Sequence, residues 1–210
     1  MTQAVSLAAL GSYGGVLLPS WTTAARPTPA YTGQQGYNTT LGTAEFYNGT
    51  SWVQTKITSG TAVASTSGTS IDFTGIPSWV KRITVMFNGV STNGSSLVIA
   101  RLGTSGGIVS TGYASSVAYC GTNTGGANTT VGLIIANPSA SDICSGQLII
   151  SNISGNTWVA SGTGAFTTNV YKYIAAGNSP ALASVLTTVR ITKVNGTDTF
   201  DAGSINILYE

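Results

Sequence analysis

The chain has 210 residues, of which 7% are charged and 42% apolar, with a net charge of +2; an ordinary soluble domain carries about a quarter charged residues. Its length suits one β-sandwich with a short appendage and argues against two large domains. It has no histidine, and so lacks the commonest metal ligand and general base. The eight Lys and Arg are scattered, adjacent only at Lys81-Arg82, so no basic patch is available to neutralise a run of phosphates and nucleic acid is not an expected partner.

Residues 1–25 are apolar but interrupted by Gly11, Gly14, Gly15 and Pro19, breakers that exclude a long helix. No positive residue precedes Arg26, so the charged region of a secretory signal is missing. No apolar run approaches the roughly 18–20 residues that span a bilayer, so membrane insertion is not expected. An extended arm over 1–25 is predicted instead. Leu7, Leu10, Tyr13, Leu17, Leu18 and Trp21 are its candidate docking residues, because an uncovered apolar series of this kind marks an interaction surface. The alternative is that the arm folds back on its own domain.

Arg26-Pro27-Thr28-Pro29 reads as a stiff linker and opens a small unit over 26–55. Its short aromatic and Thr-rich runs, separated by Gly42 and by the turn dipeptide Asn48-Gly49, predict a three-stranded meander. From 56 to 210 the pattern is that of one antiparallel β-sandwich, jelly-roll-like. In Arg82 to Val90, Ile83, Val85 and Phe87 alternate with polar positions, as in a half-buried strand, and Leu97 to Leu102 is its expected hairpin partner. Further strands are predicted at 108–113, 117–120, 130–136, 146–151, 157–161, 171–175, 186–193 and 204–209, a spacing typical of sandwiches and jelly rolls. The last two form an expected terminal hairpin around Asn195-Gly196, with Arg190 and Asp201 placed to pair.

Chemistry is sparse. The acids are Glu45, Asp72, Asp142, Asp198, Asp201 and Glu210. Only Asp198 and Asp201 are close enough in sequence to suggest a carboxylate pair, and a turn role explains them as well. With Asn195 they also make a weak oxygen-ligand set for calcium. No serine has a histidine to activate it, the glycine-rich run 103–107 lacks the ending of a phosphate loop, and no cofactor, metal or catalytic residue is expected. Cys120 and Cys144 are open to three readings: buried hydrophobes, a disulfide, or unrelated thiols. Trp52, Trp79, Trp158 and Tyr113 offer flat faces to a glycan, against core packing as the alternative.

Two stretches resemble known proteins. Arg26-Pro27, Pro29, Gly33, Gly36-Tyr37-Asn38-Thr39-Thr40, Glu45-Phe46-Tyr47-Asn48-Gly49 and Trp52 resemble a segment that recurs in phage tail-fibre, head-fibre and other virion proteins, usually near the attachment end. Residues 69–93 together with Val189-Arg190-Ile191-Thr192 and 195–207 resemble, colinearly, a domain of phage and prophage structural proteins. These resemblances imply a non-enzymatic component at the surface of a phage particle, a short fibre or fibre-attachment subunit docked by its N-terminal arm. Its implied partners are other virion proteins of tail or capsid, and by analogy with fibres and knobs it would be a homotrimer. A capsid decoration or head-fibre protein, and a receptor-binding module for host surface glycan, are the alternatives.

Overall fold

The structure is a computed structural model that describes residues 17–54, 57–121, 124–136, 138–167 and 171–210. The chain divides into two compact units, Met1–Lys56 and Ile57–Glu210.

In the first unit, β1 (Ser20–Trp21), β2 (Gln35–Asn38), β3 (Thr43–Tyr47) and β4 (Trp52–Gln54) form a four-stranded sheet in that order. The meander β2-β3-β4 is antiparallel, as expected from the turn chemistry. At the β3–β4 turn, Asn48 Oδ1 accepts from the amides of Thr50 and Ser51 at 2.9 and 2.8 Å, and Gly49 takes a φ of +101° that an L side chain disfavours. The fourth strand is a correction. β1 comes from the segment assigned to the arm and pairs parallel to β2, Ser20 with Tyr37 and Trp21 with Asn38. A 3-10 turn at Thr23–Ala25 follows, capped by Thr22, whose Oγ1 accepts from the Ala25 amide. The small sheet thus begins at Ser20 rather than after Arg26.

The second unit is all-β, two antiparallel sheets packed face to face. Its strands are β5 (Thr58–Ser59), β6 (Val63–Ala64), β7 (Ser70–Thr74), β8 (Arg82–Thr92), β9 (Val98–Thr104), β10 (Gly107–Ile108), β11 (Ala114–Cys120), β12 (Gly125–Thr129), β13 (Leu133–Ala136), β14 (Cys144–Ser154), β15 (Thr157–Phe166), β16 (Tyr171–Asn178), β17 (Thr188–Lys193) and β18 (Phe200–Tyr209). The nine-stranded large sheet runs β12-β11-β16-β15-β14-β8-β18-β5, with β6 also on β18; the five-stranded short sheet runs β10-β9-β17-β7, with β13 also on β9. The order β7-β17-β9-β13 facing β8-β14 and β11-β12 is that of a jelly roll. Where that fold has one strand between β8 and β11, this chain has the meander β14-β15-β16, and it adds β18 on the far side of β8.

Alternation explains the packing. Ile83, Val85 and Phe87 of β8 and Leu148 and Ile150 of β14 point inward from the large sheet to meet Ile71 and Phe73 of β7 and Val189 and Ile191 of β17. β13 is buried along its whole length, Leu133 to Ala136, so its run of apolar residues has no polar face.

Two expected hairpins are instead crossovers. β9 pairs with β17, β13 and β10 in the short sheet, not with β8, and β17 and β18 lie in different sheets. Their connecting loops are fastened to each other. Asp198 Oδ2 accepts from the Ser96 amide at 3.0 Å, Asn93 and Thr199 join backbone to backbone at 3.0 Å, and the Asn195 amide donates to Ser96 Oγ at 3.1 Å. Asparagine-glycine loops suit a hairpin locally, but here each meets the other loop, and that long-range lacing carries both chains across the sandwich. The expected pairing of Arg190 with Asp201 also gives way: strand register sets Arg190 opposite Asp72, which it holds bidentately at 2.7 and 2.6 Å.

Candidate functional site

The most developed polar cluster lies in the first unit, around Glu45. Arg26 and Glu45 are the only charged residues between Met1 and Gln54. Strand β3 turns Glu45 inward, where it is 2% exposed, and β2 places Asn38, wholly buried, beside it. Glu45 Oε1 accepts from Trp21 Nε1 at 2.6 Å, Arg26 Nε at 3.0 Å and Asn38 Nδ2 at 3.1 Å, while Oε2 accepts from Arg26 Nη2 at 2.7 Å. Burial alone would push the Glu45 carboxyl up; the hydrogen bonds from Arg26, Trp21 and Asn38 outweigh it and hold the group below its ordinary value. Asn38 also braces the turn after β2, its Oδ1 accepting from the Thr40 and Leu41 amides.

The indole of Trp21 lies over the sheet, its ring 4.9 Å from that of Trp52 at a steep angle. Gly36 makes this approach possible, because a Cβ there would overlap the six-membered ring of Trp21. One carboxylate therefore ties the chain at two points, Trp21 and Arg26, on either side of the 3-10 turn. The carboxylate, held below its ordinary value, is a hydrogen-bond acceptor that fixes the direction in which the chain enters the sheet.

The six docking candidates separate. Leu7, Leu10 and Tyr13 lie outside the described residues. Leu17 is 81% exposed and Leu18 half-buried. Trp21 is removed from the set as a free surface: it is buried in its own sheet by Gly36, Trp52 and Glu45. Sequence reasoning missed the Glu45 cluster, although one signal was available: the sole acid and the sole base of a long uncharged segment have every reason to meet.

The remaining candidates lie mostly in the second unit. Asp198 is held below the ordinary carboxylate range by the Asn195 side chain, the Ser96 amide and the nearby Lys193. Among the described residues no group of three His, Cys, Asp or Glu side chains is placed to hold a metal. Cys120 is exposed and Cys144 buried, both as free thiols. They lie three strands apart, roughly 14 Å at the usual strand spacing, on opposite faces of the large sheet, beyond the reach of a disulfide. Burial pushes the Cys144 thiol up to about 11 despite its contact with the Tyr173 hydroxyl. Of the flat faces suggested for a glycan, Trp158 and Tyr113 are core residues, Trp79 packs against Tyr209, and Trp52 is half-buried between Trp21 and Tyr47.

One cation is unusual. Lys193 is fully buried, its Nζ has no hydrogen-bond partner among the described residues, and it sits 3.2 Å from the centre of the Phe200 ring. Burial pulls it down to about 8, against the opposing pull of Asp198 and Asp201.

Compared with family models, curated proteins and solved structures, the chain has no match.

Proposed function

We propose that the chain is a non-enzymatic structural protein of a phage particle, a small fibre or fibre-attachment subunit fixed through the segment that precedes Ser20. The observation that supports this most is the Glu45 cluster. Arg26, Gly36, Asn38, Glu45 and Trp52, all from the stretch that resembles virion attachment segments, are the residues that meet around Trp21. A docking arm transmits load only if its base is rigid, and a buried carboxylate holding both Trp21 and Arg26 supplies that base.

The acids favour the non-catalytic reading. Glu45, Asp72, Asp142, Asp198 and Glu210 each hold a guanidinium, an amide or a backbone N–H, so each answers a structural need. A capsid decoration protein would use the same base and is the same reading at a different address. Glycan binding is the weaker alternative, because the flat faces it needs in the second unit are spent on the core.

The test is co-purification. A tagged chain supplied during phage growth should sediment with intact particles, whereas a variant lacking residues 1–17 should stay in the soluble fraction with an unchanged circular dichroism spectrum. Absence of the full chain from purified particles would overturn the proposal.

A further inference from the structure

We propose that the outward face of the large sheet is where a second copy of this chain docks; this deepens the structural reading above and rests on it. Register lines the outward residues into rows. One row runs Asn206, Met86, Gln147, Thr163, Ile174, Ala118 and Gly126 across seven strands. The next runs Leu208, Thr84, Ile149, Ser161, Ala176, Ser116 and Asn128. Neither contains a charge. The third, Arg82, Ser151, Val159, Asn178 and Ala114, has one, at its end, and there Arg82 is neutralised by Glu210 at 2.6 Å.

The contrast with the short sheet is what makes this informative. That sheet sets Asp72, Arg190 and Arg101 side by side in register, as a water-facing sheet is expected to do. The large sheet keeps its outward charges to the margins of these rows: Arg82 ends the third, and Lys172 lies in the next row beyond Ile174, with Cys120, Ala165 and Ser145. Charges at the centre of an interface are costly to desolvate, and a face that meets a copy of itself across a two-fold axis would bring like charges together; a neutral centre of hydroxyls, amides and aliphatics, with Arg82 and Lys172 left to the rim, avoids both costs over the three rows.

Size and shape agree. Seven strands at about 4.8 Å and three rows at about 7 Å cover on the order of 600 Å², close to the roughly 800 Å² per partner of a standard stable interface. The face carries both a projection and a hollow. Ile174 projects, 64% exposed, and two residues along β16 begins a shallow hollow of about 410 Å³ lined by Ala114, Ser115, Ser116, Ala176 and Gly177. In the proposed pairing the projection of one copy enters the hollow of the other.

The experiment is the mass of the full chain in solution by light scattering, for the wild type, for Ala176→Arg and Ile174→Asp, and for Ser70→Lys as a control on an outward position of β7 in the other sheet. Near-UV circular dichroism verifies that each variant is folded. The expected result is a wild type of two or more copies, association weakened at least about tenfold by either large-sheet variant, and no change with Ser70→Lys. A monomeric wild type overturns the inference, as does an oligomer indifferent to both variants. Deletion of residues 1–16 is included: if it converts a monomer into an oligomer, the chain's own N-terminal segment is the occupant and the inference fails. None of these outcomes depends on recovery of the protein with particles, so this inference and the virion reading fail separately.

Discussion

Glu45 and Lys193 are two buried charges with opposite fates. Glu45 is saturated by Trp21, Arg26 and Asn38, and removal of its charge leaves the Arg26 guanidinium partly buried without its partner. Glu45→Gln is expected to destabilise the first unit by about 2–3 kcal/mol, toward the low end for a broken buried pair because Arg26 retains some contact with water. Urea titration followed by tryptophan fluorescence reads this directly. Because the folded carboxyl sits below its ordinary value of 4.5, its contribution is complete above that value and is lost as pH falls through the lower folded one. The acid transition of the first unit should therefore soften in the Gln variant. Lys193 runs the other way. Its folded value, about 8, lies below the ordinary 10.5, so between the two the unfolded chain binds more protons and stability rises with pH, while below 8 the full penalty of a buried charge remains. Lys193→Met should stabilise the protein at neutral pH by on the order of 1–2 kcal/mol, even after losing the contact with Phe200, and should abolish the gain between pH 8 and 10.5. Thermal melts across that range decide it.

Among the strands, alternation made β8 legible, since Ile83, Val85 and Phe87 announce an inner face in any context. β13 and β12 were harder. β13 was expected as part of 130–136, yet its four residues are buried on both sides, and such a run has no period to read. β12, Gly125–Thr129, was missed because glycine and asparagine there look like a loop; it is a strand only because β11 offers its edge. One hydroxyl bridges β11 and β13. Ser115 Oγ accepts from the Ile134 amide at 2.8 Å and donates to the Ala176 carbonyl at 3.1 Å. Ser115→Ala would leave a buried N–H unpaired, at an expected cost of about 1–3 kcal/mol. Amide hydrogen exchange at Ile134 should accelerate well beyond the change at β8, and equal acceleration everywhere would mean a global effect instead.

At the scale of the whole molecule, the second unit has its own two-sheet core, and a chain of residues 57–210 is expected to fold alone, with the near-UV signal of Trp79 and Trp158 intact and cooperative melting retained. A molten product would show that the first unit is required. The resemblance to virion segments pointed to 26–53 but not to Trp21, because β1 reaches β2 only through parallel pairing across an intervening turn. Composition and periodicity by themselves determined that this chain is all-β and where most strands of the sandwich lie, since these are local consequences of alternation and turn residues. Tertiary structure alone decided which strands pair, that two asparagine-glycine loops cross between sheets instead of closing hairpins, and that one glutamate gathers Trp21, Arg26 and Asn38. Those outcomes rest on contacts between residues far apart in sequence, where the hydrogen-bond partner, not the local preference of the chain, sets the lower free energy.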